Sequence, residues 1–147
     1  MIFDAQNLFS DAQAITASAA STNVIDFGQA GKPIGAAANI RKDLGRGGKV
    51  DVRVQMVEAA LAAGAATLTI DLQTDDNEAF ASPKVAWTSG PIPKAQLVAG
   101  YVFPLEFFPR GTDERFARLY YTVATGPLTA GKITAGVVAA SEDNNYD

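Results

Sequence analysis

Short blocks of period-two alternation, broken every few residues by Gly and Pro, constrain this chain more than any other feature. Residues 50–57, VDVRVQMV, place Val50, Val52, Val54 and Met56 on one parity and Asp51, Arg53 and Gln55 on the other. That is the pattern of a half-buried strand, whose side chains point alternately to opposite faces. Residues 67–74 repeat it, with Leu68, Ile70 and Leu72 set against Thr67, Thr69, Asp71 and Gln73. In residues 115–124, RFARLYYTVA, the parity of Ala117, Leu119, Tyr121 and Val123 is predicted to face the core. No segment carries an amphipathic helical period of ordinary length, so the chain is expected to be all β.

Further strands are predicted over residues 23–27, 84–88, 97–103 and 133–139, with a short apolar piece at 105–108. Ser89-Gly90-Pro91, Pro104, Pro109 and Gly126-Pro127 mark their ends. Residues 1–10 read either as another strand or as an extended arm, and the acidic residues Asp4 and Asp11 without a basic start argue against a secretory signal. Between the two best strands, EAALAAGAA (residues 58–66) favours a hairpin connection because of Gly64 and its position. Seven or eight short strands in 147 residues predict one domain, a β-sandwich or barrel. A chain of this length buries roughly two-thirds of its unfolded surface, enough for a core without disulfide or metal. Since 27 alanines supply little apolar area, the core is assigned to Val52, Val54, Leu68, Ile70, Leu119 and Val123. Phe103, Phe107, Phe108, Tyr120 and Tyr121 are expected to fill it further.

The chemistry available is narrow. The chain has no His and no Cys, which removes the Ser/His relay, the Cys nucleophile, thiolate and imidazole zinc sites, and disulfides. GRGGKVD at residues 45–51 fails as a phosphate loop, because Asp43 stands where Gly is needed and Val50 where Ser or Thr is needed. DLQTDDNEAFAS at residues 71–82 fails as a calcium loop, with Asp76 in place of Gly and Ser82 in place of Glu. No enzyme activity and no cofactor are expected. A net charge of −4 argues against nucleic acid as a partner, and no apolar run is long enough to span a membrane.

Charge is nevertheless unevenly spread. Lys32, Arg41, Lys42, Arg46 and Lys49 crowd the Gly/Ala-rich residues 28–48 and their border, a long loop without strand pattern. Asp71, Asp75, Asp76 and Glu78 form an acidic counterpart, and residues 141–147 an acidic tail. A large oppositely charged partner, or another copy of the chain, could use this polarity.

Three stretches carry a likeness that composition does not. LFSDAQAITASAASTNVIDFG (residues 8–28), PIPKAQLVAGYVFPL (91–105) and RFARLYYTVATGPLTAGKITAGVV (115–138) resemble the capsid cement, or decoration, proteins of tailed bacteriophages, of the kind first recognised in a Bordetella phage. The resemblance runs over nearly the whole chain. It implies a jelly-roll-like β-sandwich, made in the bacterial host cytoplasm, that coats the outer capsid surface of the virion and bridges major capsid protein subunits without a cofactor. Within that frame the expected capsid contacts are Arg41, Lys42, Arg46 and Lys49 of the loop with Phe3, Leu8 and Phe9 of the arm. Open strand edges predict self-association, as a homodimer or alternatively a trimer. The competing reading is a carbohydrate- or ligand-binding jelly roll, for which Trp87 and a few Tyr are the available stacking groups.

Overall fold

The structure is a computed structural model that describes residues 2–139; Met1 and residues 140–147, including the acidic tail, lie outside the described residues. The alternating blocks become nine strands: β1 (Ile2–Ala14), β2 (Ala19–Ala20), β3 (Ile25–Asp26), β4 (Val52–Leu61), β5 (Thr67–Asp75), β6 (Lys84–Thr88), β7 (Ile92–Pro93), β8 (Phe116–Ala124) and β9 (Ala130–Ala139). They form two antiparallel sheets, one ordered β1-β9-β4 and the other β2-β8-β5-β6, with β3 also on β8 and β7 also on β5. This is the expected β-sandwich, and the only helical pieces among the described residues are two three-residue turns.

The inner faces follow the parities read from the sequence. Val52, Val54 and Met56 of β4 oppose Leu68, Ile70 and Leu72 of β5 with Ala117, Leu119 and Tyr121 of β8, all in one buried cluster. Each large apolar side chain so buried contributes roughly 1.5 to 3 kcal/mol. Val123 packs against this cluster but is only half-buried, one residue from the end of its strand. Of the five aromatics, Phe103, Phe108 and Tyr121 are buried, Tyr120 is half-buried and Phe107 is exposed. Trp87, opposite the buried Leu72, packs partly against the core and is half-buried.

Two expectations are corrected and one open alternative is decided. The hairpin between residues 50–57 and 67–74 does not form, because β4 and β5 lie in different sheets and the Ala/Gly link crosses between them. Alternation fixes which face a strand buries, and two strands can share a core without sharing a ladder. Residues 97–103 are not a strand either. They continue to Phe108 as an irregular edge along β4, with Ala60 N–H donating to Leu97 O at 2.8 Å, Met56 N–H to Tyr101 O at 2.9 Å and Val52 N–H to Glu106 O at 2.8 Å. Gly100, at a φ of +88°, and Pro104, without an N–H, interrupt any regular ladder while the segment still covers the β4 edge.

The open alternative concerns residues 1–10: of strand and arm, the described residues form the strand, most of β1, paired with β9. Strand β1 advances from Phe3 to Leu8 while β9 advances only from Val138 to Gly136, so residues 4–7 bulge. The Asp4 carboxylate closes the bulge by accepting from Gln6 N–H at 2.9 Å and Asn7 Nδ2 at 2.5 Å. Beyond it, Ser10 Oγ meets Tyr121 OH at 2.8 Å and donates to Gln13 Oε1 at 2.6 Å, so the Tyr121 hydroxyl is the donor of the first bond. This buried pair ties β1 to β8 of the opposite sheet, and burial pushes the Tyr121 hydroxyl well above the ordinary phenol range.

Candidate interaction surface

Strand registers gather one end of the sandwich from distant parts of the chain. Ile2 pairs with Ala139 and Phe3 with Val138, Val138 N–H donates to Asp51 O at 3.0 Å, and Asp75 and Asp26 both pair with Phe116. The loop of residues 28–48 leaves this end just after β3 and returns to it just before β4. Beneath its root three rings stack edge to face, Phe9 with Phe108 at 6.3 Å and Phe108 with Phe27 at 5.2 Å.

The root is docked, not free. Lys42 Nζ donates to the Phe27 carbonyl and, at 3.2 Å, to that of Gly28, and lies 5.7 Å from the centre of the Phe27 ring. The Asp43 carboxylate accepts from Gly45 N–H at 3.0 Å and from Gly111 N–H at 3.2 Å, and Leu44 N–H donates to Thr112 O at 3.1 Å. Gly45 presses so closely on the backbone of Pro109 and Arg110 that a Cβ there would fall 2.3 Å from it. Only glycine satisfies that approach.

Past the root the loop closes on itself and turns outward. Ile40 N–H donates to Gly31 O at 2.8 Å and Ala36 N–H to Pro33 O at 3.1 Å, with Gly35 at a φ of +81° completing the turn. The tip leaves Ile34 at 107 % and Ile40 at 56 % relative exposure. Sequence reasoning weighed this loop by its cations and missed both isoleucines. The signal lay in GKPIGAAANI, where two large apolar residues occur without the period of any element that could bury them.

The predicted contact residues separate into three groups. Arg41, Arg46 and Lys49 are exposed; Arg46 lies 3.6 Å from Asp43, Lys49 lies 4.9 Å over the Phe107 ring, and Arg41 has no ion pair among the described residues. Lys42 spends its ammonium on the loop's own backbone. Phe3 is half-buried at the same end of the sandwich, whereas half-buried Leu8 sits farther along the sheet, folded over Gly136. Phe9 is corrected outright, since at 0 % exposure it belongs to the core and has no surface to offer a partner.

Charges of both signs surround the loop root. Asp76, Asp113 and Glu114 line a depression of about 340 Å³ together with Lys42 and Arg115, and Ile40, Arg41 and Arg46 line an adjoining one of about 470 Å³ together with Asp43 and Asp113. Two ion pairs fix this border, Lys84 with Asp113 at 2.6 Å and Arg115 forked onto Asp26 at 2.8 and 2.6 Å. The fork, with the Gly28 N–H, holds the Asp26 carboxyl down at about 2. No group of three His, Cys, Asp or Glu among the described residues is arranged to hold a metal ion.

A family model, Bbp16, matches residues 9–137. The chain belongs to the Bbp16 family. In this Bbp16-family chain the matched span runs from β1 into β9 and so includes strands of both sheets. The name points to a Bordetella phage protein, as the sequence resemblance implied. No curated protein matches the chain.

Proposed function

We propose that this protein is a structural component of a phage virion that coats the outer face of the head and bridges neighbouring major capsid protein subunits. The observation that carries this reading is the 28–48 loop, fixed to the body through Lys42, Asp43 and Gly45 while Arg41, Arg46 and Lys49 face outward. A fixed root lowers the ordering cost of binding, and the outward cations complement an acidic shell surface. Each exposed ion pair contributes only about 0 to 1 kcal/mol, so a cement must bind through many such contacts repeated over the shell. Half-buried Phe3, at the same end, adds apolar area.

Self-association, as a homodimer with a trimer as the alternative, belongs to the same reading, because the outer edge of β1 has no neighbouring strand among the described residues. No catalytic step and no cofactor enter it, and the reading excludes nucleic acid and membrane as partners. Its location is the outer capsid surface, after synthesis in the host cytoplasm. A sugar-binding role would rest on half-buried Trp87, which packs partly against the core and borders only a depression of about 150 Å³.

Electrophoresis and cryo-electron microscopy of purified particles test the proposal. A band in fixed ratio to the major capsid protein, and density for a sandwich outside the shell, are the expected results. Particles without the protein, or density inside the shell, would overturn it.

A further inference from the structure

We propose that the loop tip is a knob by which one copy of the protein engages the next, seating Ile34 in a depression formed by Trp87, Pro104, Leu105, Phe107 and Pro109 of the neighbouring copy. This rests on the reading above only in that a coat sets copies side by side.

The knob is built for contact. Ile34 has no partner within its own chain, and its neighbours Pro33, Gly35 and Ala36 are too small to shield it. The Gly31–Ile40 and Pro33–Ala36 hydrogen bonds hold the tip in one shape before any partner arrives. A single exposed aliphatic residue is ordinary on a protein surface. Two exposed isoleucines on one closed loop, together with a depression of matching size on the same molecule, are not.

That site is a depression of about 150 Å³ in which Glu106 is the only charged lining residue. A cavity of that size elsewhere accepts one benzene-sized apolar group. Phe107 lies 38 % exposed at its wall, with the Lys49 ammonium 4.9 Å over its ring. Charge fits as well as shape, because Lys32 stands two residues from Ile34 and Glu106 stands on the rim of the depression. The placement also permits exchange in both directions. The knob's root is bonded to residues 109–112 and the depression ends at Pro109, so knob and hole belong to one end of the molecule, and two copies related by a two-fold axis could each give and receive.

Because the chain has no cysteine, an introduced thiol is the only one present. Lys32→Cys and Glu106→Cys variants, each made alone, leave Ile34 and the apolar lining intact. Mixed under mild oxidation, they should form the mixed disulfide roughly tenfold or more faster than Lys32→Cys mixed with Leu61→Cys, an exposed control on β4. Adding Ile34→Asp to the Lys32→Cys chain should remove the advantage, and the exposed position leaves the fold untouched. Equal rates for the two mixtures, or a rate indifferent to Ile34→Asp, would overturn the proposal. Shell binding separates this result from the functional reading. Cross-linking by a protein that leaves shells bare would refute the coat and keep the knob, and coated shells without cross-linking would do the reverse.

Discussion

Strand β1 and the 28–48 loop both carry large apolar residues, and folding uses them in opposite ways. In β1, Phe9 is fully buried and Ser10 reaches across the sandwich to Tyr121, whereas the loop leaves Ile34 fully exposed. The difference is a ladder. Pairing with β9 fixes the direction of the β1 side chains and delivers Phe9 to the core, even through three register shifts. The loop has no strand partner, so it is fixed only where Lys42, Asp43 and Gly45 find backbone groups to hold, and everything beyond Gly31 and Ile40 is free to meet something else. One segment became body and the other became surface.

Substitutions in the two regions should therefore diverge widely. The largest effect is expected in the body, where Ile70→Asp would put an unpaired charge at 0 % exposure and abolish folding, read as loss of the cooperative melt. Phe9→Ala should cost about 3 to 5 kcal/mol in urea unfolding, while Ile34→Ala should stay within about 0.5 kcal/mol of the parent. Near-equal costs would mean that the tip is packed. Gly45→Ala lies between, at about 1 to 3 kcal/mol, because the added Cβ must displace the Pro109–Arg110 backbone, and it should speed proteolysis within residues 28–48. Tyr121→Phe removes the bond to Ser10 and should cost about 0.5 to 1.5 kcal/mol.

The smallest effect is electrostatic. Arg115 holds the Asp26 carboxyl at about 2 against an ordinary 3.8, so its contribution to stability is present above pH 3.8 and is lost as pH falls toward 2. Asp26→Asn should flatten the stability profile in that window and leave it unchanged in slope near neutrality. A profile identical to the parent's between pH 4 and 2 would show that the fork contributes nothing there.

How far the sequence led depended on what each segment bonds to. Where side chains alternate over a two-sided strand, as in β4, β5 and β8, the buried parity was legible down to Val54, Ile70 and Leu119. Which strand lies beside which was not, because the ladder of β4 runs to β9, more than seventy residues away, and no pattern within VDVRVQMV records it. Residues 97–108 mislead for a chemical reason: their apolar content is that of a strand, but Gly100 and Pro104 break the ladder. At the candidate surface the cations were legible as a cluster. The diversion of Lys42 to the Phe27 and Gly28 carbonyls was not, since it depends on where β3 leaves those groups.

The central claim is that the outward cations of the loop grip the shell, with Phe3 of β1 only adding apolar area beside them. Deleting residues before Ser10 cannot test it, because the deletion removes Phe9 from the core along with half of β1. The direct measurement is occupancy of expanded shells lacking the protein, at low and high salt, by the parent and by a variant combining Arg41→Glu, Arg46→Glu and Lys49→Glu, with melting temperatures matched. The account predicts that the parent's binding weakens as salt rises, and that the variant binds poorly at low salt and gains nothing from further dilution of the buffer. Parent-like occupancy of the variant, with the same salt dependence, would contradict it.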